Sequence, residues 1–175
     1  ADLASVSFPS ISEALETYYS MKNIVTKIRQ KSSDLRRIVQ TALDRNQKKY
    51  QLQQKQMKDT EKKDKYRIYG ELINTYGYEL EPGAKKLEAL NYYTNEMISI
   101  PLDPTLTAQE NSQKYFDRYG KLKRTAEALE ELLVETKSEI DHLESIATSL
   151  DIALSEEDLV QIREELMDYG YIKRK

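Results

Sequence analysis

The chain has 175 residues with a net charge of only −3, yet a third of its residues are charged and 39% are hydrophobic, a ratio that suits a thin rod better than a thick globule. It has no cysteine, which excludes disulfides, thiolate metal sites and cysteine nucleophiles, and no apolar run nears the roughly 20 residues a membrane-crossing helix needs. The small net charge conceals a division: residues 29–69 carry 13 Lys and Arg against 5 Asp and Glu (net +8), and residues 121–168 carry 5 against 14 (net −9).

At the amino terminus, Ser10 followed by Glu13 reads as a capping box, so the first long helix is expected to begin near residue 11. Leu15, Tyr18, Met21, Ile24, Val25, Ile28, Leu35, Ile38, Val39, Ala42 and Leu43 then recur at intervals of three and four, a broad apolar stripe. Its width around Leu35 to Leu43 exceeds what one partner helix needs and suggests a homodimer. From Asp44 to Asp64 the stripe thins to Tyr50, Leu52 and Met57 among strong helix formers.

Residues 65–80 return to helical spacing, weakened by Gly70 and Gly77 and broken by Glu81-Pro82-Gly83. Leu87 to Tyr93 and Met97 to Leu102 flank Thr94-Asn95-Glu96 and read as a β-hairpin. An isolated hairpin is marginal in water, so it should pack on the 65–80 helix. Eight of the 13 tyrosines fall between residues 66 and 119. Tyr69, Tyr76, Tyr93 and Tyr115 are expected in the core there, with Tyr78 and Tyr92 exposed.

Thr107 and Glu110 form a second capping box, opening a helix that should run to about Ala153. Within it Leu122, Ala126, Leu129, Leu133, Thr136, Ile140, Leu143, Ala147 and Leu150 make a four-three heptad seam that wants a partner helix. The basic stretch before it is the natural partner. A last short helix begins at the Ser155 cap, presents Leu159, Ile162, Leu166 and Tyr169 on one face, and stops at Gly170.

The expected fold is therefore mainly α: a long antiparallel two-helix coiled coil with a small helix plus β-hairpin tip and a short helix at the base. Residues 1–64 form the first arm with the end of a preceding helical domain, 65–104 the tip, 105–153 the second arm, and 154–175 the base helix and a linker to a further carboxy-terminal domain. The amino terminus lacks the basic-then-apolar order of a signal peptide, and the chain, beginning at Ala1, reads as a piece of something larger.

Two packed helices offer no deep pocket, and the residues point away from catalysis. His142 is the one histidine and reads as solvated or helix-flanking. Glu127, Glu130, Glu131 and Glu135 on a surface helix would keep ordinary acidity and match lysines opposite. No phosphate loop, metal-ligand spacing or Ser/His/Asp set is present, so no enzyme, metal or cofactor is expected. The basic arm, from Arg36 to Arg67, could track a phosphate backbone; for most of it a face neutralised by the acidic arm is the simpler reading. Lys62, Lys63, Lys65 and Arg67 stand apart because few acids lie nearby, and Tyr66 and Tyr69 beside them could stack on bases. These six are the candidate RNA- or partner-binding residues.

The phrases Phe8-Pro9-Ser10-Ile11-Ser12-Glu13-Ala14-Leu15-Glu16-Thr17-Tyr18-Tyr19, Leu43-Asp44-Arg45-Asn46-Gln47-Lys48-Lys49, Asp64-Lys65-Tyr66-Arg67-Ile68-Tyr69-Gly70-Glu71-Leu72, Asn91-Tyr92-Tyr93, Ile100-Pro101-Leu102-Asp103 and Ile162-Arg163-Glu164-Glu165-Leu166 together resemble the middle segment of the NFACT family. Its bacterial members are RqcH-like ribosome quality control factors, also known as fibronectin-binding protein A. The resemblance implies a cytoplasmic binding arm of a factor that engages the stalled large ribosomal subunit, both rRNA and protein. It also implies tRNA recruitment, by the full-length protein, for carboxy-terminal alanine tailing. The family's motif for tRNA work sits in an amino-terminal domain that these residues do not include. The alternative is an adhesin module at the bacterial cell surface that binds host fibronectin.

Overall fold

The computed structural model describes the backbone of residues 2–174 and the side chains of residues 10–174. It is mainly helical with one small sheet, in the order α1 (Asp2–Asp59), a 3-10 turn (Thr60–Lys62), α2 (Lys63–Tyr76), a 3-10 turn (Gly77–Glu79), β1 (Lys86–Asn91), β2 (Glu96–Pro101), α3 (Ala108–Ile152) and α4 (Glu156–Asp168). Among the described residues no helix is long and apolar enough to cross a membrane.

One helix boundary differs from expectation. α1 starts at Asp2, so Ser10 and Glu13 lie inside the helix rather than capping it. A proline within a helix forfeits one backbone hydrogen bond, but the local loss at Pro9 does not outweigh a helical run on both sides. The Thr107–Glu110 capping box and the Ser155 cap both form. The Thr107 amide donates to Glu110 Oε1 and the Glu110 amide to Thr107 Oγ1, each at 3.1 Å, and Ser155 Oγ accepts the Asp158 amide at 3.1 Å.

The chain divides into two compact units. The first comprises residues up to Lys49 and from Thr136 onward. Its core takes Leu35, Val39 and Ala42 from α1, Thr136, Leu143, Ile146 and Leu150 from α3, and Leu159, Ile162 and Leu166 from α4. Each fully buried Leu or Ile contributes roughly 1.5–3 kcal/mol. Arg36 of α1 fastens the α3 end, donating to Asp151 Oδ1 at 2.5 Å and to the Leu150 carbonyl at 3.0 Å, and Lys31 pairs with Glu156 at the start of α4. Gly170 takes φ +83° and lets the Tyr171 amide return to Leu166 O at 2.9 Å, closing α4. The Leu35 to Leu43 stripe, the basis for expecting a dimer, is buried by this core and is not available to a second chain. Ile11, Leu15, Tyr18, Met21 and Ile24, earlier on α1, are instead exposed.

The second unit spans residues 50–135. β1 and β2 pair antiparallel with Leu87 opposite Ile100 and Ala89 opposite Ile98, and the alternation of β1 sends Leu87, Ala89 and Asn91 inward. Leu87 and Ala89 pack with Leu72 and Ile73 of α2 and Tyr115 of α3, so the hairpin is stabilised by the helices as expected. α2 and α3 approach closely at Gly70, where an added Cβ would stand 2.8 Å from the Phe116 ring, and the Ser112 hydroxyl bonds Gly70 O at 3.1 Å and the Asn74 side chain at 2.7 Å. Every heptad-seam residue, in either unit, is buried or half-buried.

Candidate nucleic-acid interface

Lys62, Lys63, Lys65, Tyr66, Arg67 and Tyr69 are contiguous in sequence but not in space. At about 100° per residue, positions 65 and 67 of α2 point roughly 200° apart, whereas 65, 66 and 69 share a side and 67 aligns with 71.

On the first side the tyrosines build a platform with α3. The Tyr66 and Tyr115 rings lie nearly parallel at 5.9 Å between centroids (18°), and Tyr69 meets Tyr115 edge-on at 5.2 Å. The buried Tyr115 is anchored by a hydrogen bond from its hydroxyl to the Pro101 carbonyl, and its burial pushes that hydroxyl above the ordinary tyrosine pKa. Two exposed cations lie over the platform: Lys65 Nζ is 5.6 Å from the Tyr66 centroid and 5.7 Å from that of Tyr69. The Arg118 guanidinium is 5.5 Å from Tyr66 and 5.6 Å from Tyr115. Neither has a carboxylate partner among the described residues.

Beside the platform runs an open groove of about 330 Å³ lined by Pro101, Asp103, Asn111, Lys114, Tyr115 and Arg118. Asn111 fixes its rim, accepting the Asp103 amide at 2.8 Å and donating to Asp103 O at 3.1 Å. Hydrogen bonds from the Thr105 hydroxyl and amide hold the Asp103 carboxyl below its ordinary value, and Lys114 stands 4.0 Å away.

On the opposite side Arg67 is committed within the fold. It donates to Glu71 Oε1 at 3.0 Å and to the Tyr93 hydroxyl at 3.3 Å, while the Tyr93 and Tyr92 hydroxyls donate to Glu71 Oε2 at 2.9 and 3.1 Å. Partial burial opposes the charge on Glu71, but Tyr93, Tyr92 and Arg67 together outweigh it and hold the carboxyl below its usual range. Desolvation and the Glu71 carboxylate push Tyr92 up to about 12. This network clasps the hairpin to α2. It also explains why Tyr93, expected in the core, is 55% exposed: its hydroxyl serves the clasp and its ring leans on Tyr92 at 4.8 Å. Tyr69 and Tyr76 pack against the core, and Tyr78 and Tyr92 are exposed, as expected.

Lys62 is exposed and lines a separate groove of about 300 Å³ with Asp59, Thr60 and Leu129, and Lys63 is half-buried. Arg118, Lys114 and Tyr115 are the site residues that sequence reasoning missed. The available signal was two cations within one turn of an aromatic at the start of α3, since Lys114 and Arg118 flank Tyr115 at −1 and +3.

In the first unit His142 is not simply solvated. Its ring lies 4.1 Å from Tyr169 and its Nε2 is 3.4 Å from Glu165, so it packs at the junction of α3 and α4. Among the described residues no group of three or more His, Asp or Glu is placed to hold a metal.

Residues 1–175 match the family described as NFACT N-terminal and middle domains. Curated relatives include the Rqc2 homolog RqcH of Streptococcus pneumoniae, 38% identical over 175 residues, 100% of this chain and 32% of that protein. The Rqc2 homolog RqcH of Bacillus subtilis is 34% identical over 170 residues, 96% of this chain and 30% of that protein. The chain thus spans about a third of the length of these relatives. Among solved structures, the C-terminal part of the fibronectin/fibrinogen-binding protein of Streptococcus suis is similar, with a TM-score of 0.53 and 31% identity over 85% of this chain and 46% of that one.

Proposed function

The chain belongs to the NFACT family, and on that premise we propose that it is the non-enzymatic binding arm of an RqcH-like ribosome quality control factor that engages the stalled large ribosomal subunit in the cytoplasm. The observation that carries this reading is the pair of unneutralised cations, Lys65 and Arg118, held over the Tyr66–Tyr115 platform. Charges that fold stability does not use, fixed on a rigid aromatic base, are what a contact with polyanionic rRNA requires.

The two long helices serve as the support. Within each unit the seam residues of α3 are covered, and in the first unit Arg36 of α1 bonds Leu150 and Asp151 of α3, which supports reading the two helices as partners in the arm. Recruiting tRNA for alanine tailing is the work of the whole factor, and the arm's share is to hold it on the subunit.

Co-sedimentation with purified large subunits tests this. The wild-type chain should pellet with them, and a Lys65→Gln/Arg118→Gln variant should pellet much less; a wild-type chain left in the supernatant refutes the reading. The similarity to the fibronectin/fibrinogen-binding protein of Streptococcus suis favours a second reading, an adhesin module at the cell surface. Immobilised fibronectin assayed in parallel decides between them, since retention on fibronectin without ribosome binding would select the adhesin.

A further inference from the structure

We propose that the Lys65–Tyr66–Tyr115–Arg118 face recognises the phosphate backbone of RNA without regard to base identity, and that its tyrosines position cations rather than stack on bases. This rests on the reading of the chain as a ribosome-binding arm and specifies the chemistry of its contact.

The aromatic geometry is the first ground. Sequence-tolerant single-strand binders offer open ring faces on which bases stack. Here Tyr66 has the Tyr115 ring against it at 5.9 Å and both Lys65 and Arg118 over it, and Tyr115 receives Tyr69 edge-on at 5.2 Å. A base could reach either ring only by displacing a cation. Of the more open rings, Tyr92 and Tyr93 lie on the opposite side of α2, with their hydroxyls turned to Glu71, and Tyr78 lies past the end of α2.

The placement of charge is the second. Lys65 Nζ and the Arg118 guanidinium lie 5.6 and 5.5 Å from the same ring centroid, so they stand no more than the sum of the two, about 11 Å, apart. One phosphate or two successive phosphates can lie between them. A guanidinium stacked on a ring is already restrained, so less rotamer freedom is lost when its planar fork meets a phosphate. Lys114 contributes less, because Asp103 stands 4.0 Å away. That same carboxylate makes the far end of the groove unfavourable for phosphate and directs it to the Lys65–Arg118 end.

The test is fluorescence anisotropy of the full chain with a labelled RNA duplex and with single-stranded oligo-U and oligo-A, titrated in salt, beside the Lys65→Gln/Arg118→Gln variant. Each phosphate contact contributes roughly 0.7–0.9 to the log–log salt slope, so losing two should make the variant's slope shallower by about 1.4–1.8. Raising salt from about 50 to 200 mM should then weaken the wild type on the order of tenfold more than the variant. Oligo-U and oligo-A should bind alike.

An unchanged slope in the double variant, with its circular dichroism spectrum intact, overturns the proposal. A strong preference between oligo-U and oligo-A, or competition by polyglutamate equal to that by RNA, also overturns it, the first pointing to stacking and the second to an acidic protein partner. If the variant loses RNA binding yet still pellets with the subunit, the arm reading stands and this assignment of its contact falls. If the wild type binds RNA as described but never pellets with the subunit, the phosphate site stands and the ribosome reading falls.

Discussion

Gly70→Ala should destabilise the second unit, although the same change in an exposed helix interior would stabilise it. Alanine is favoured over glycine in a helix by about 1 kcal/mol. Against this, a Cβ at position 70 would meet three atoms of the Phe116 ring at 2.8 to 2.9 Å. Comfortable carbon contacts lie at about 3.5–4.0 Å, so the ring must retreat by well over half an ångström. Overfilling a packed site costs typically 1–3 kcal/mol. Phe116 is half-buried and can yield toward solvent, which places the cost near the middle of that range and the net change at about 1 kcal/mol destabilising. The displaced ring would also strain the 3.1 Å bond from Ser112 to Gly70 O. Urea unfolding followed by tyrosine fluorescence reports this unit selectively, because eight of the 13 tyrosines lie between residues 66 and 119. Adding Phe116→Leu should remove the clash and recover much of the loss, as coupled neighbours do. A Gly70→Ala chain as stable as the wild type, or more so, would refute the account of this close approach.

On α3, Leu143→Ala should cost about 2–5 kcal/mol, since the side chain is fully buried, whereas Leu132→Ala, at a 41% exposed position off the seam, should cost well under half as much; equal losses in thermal unfolding would contradict the seam. The clasp on Glu71 should show at both ends of the pH scale. Tyr92 is raised from 10.0 to about 12 in the folded state, so its contribution is complete below pH 10 and is lost as pH rises toward 12. Glu71 is lowered, so its contribution is present above the ordinary value of 4.5 and lost as pH falls through its folded value. The Tm difference between wild type and Tyr92→Phe should therefore shrink between pH 10 and 12, and a difference constant over that range would exclude the hydroxyl–carboxylate bond.

What could be read from the sequence was set by the range over which each interaction acts. The burial of the seam from Leu122 to Leu150, the capping box at Thr107 and the cap at Ser155 depend on residues three and four apart, and all of these positions behave as their spacing implied. The Ser10–Glu13 pair carries the same local signal yet caps nothing, because the helix continues on its amino-terminal side. The hairpin was legible from alternation and its docking from the instability of a lone hairpin. The Leu35 to Leu43 stripe was visible, but not its occupant: α4 packs beside α3, and a third helix accounts for the width that suggested a dimer. Tyr66 and Arg118 are 52 residues apart, and no periodicity links them; only the fold of α2 against α3 brings them together.

The separation of Lys65 from Arg67 determines how the site must be probed. Reversing all of Lys62, Lys63, Lys65 and Arg67 to Glu looks like the natural experiment on a linear cluster. It would, however, replace the donor 3.0 Å from Glu71 with a second carboxylate, on a side where Tyr92 and Tyr93 already depend on that acid. Truncating one member of such a network leaves its partner uncompensated, so hairpin docking would fail together with any binding, and the loss would not locate a contact. Lys65 and Arg118 carry no such obligation: both are exposed and neither pairs with a carboxylate among the described residues. Their removal gives up two cation–π contacts of modest energy on the surface. A loss of binding confined to those two positions, with Arg67 intact, would therefore report on the ligand and not on the fold.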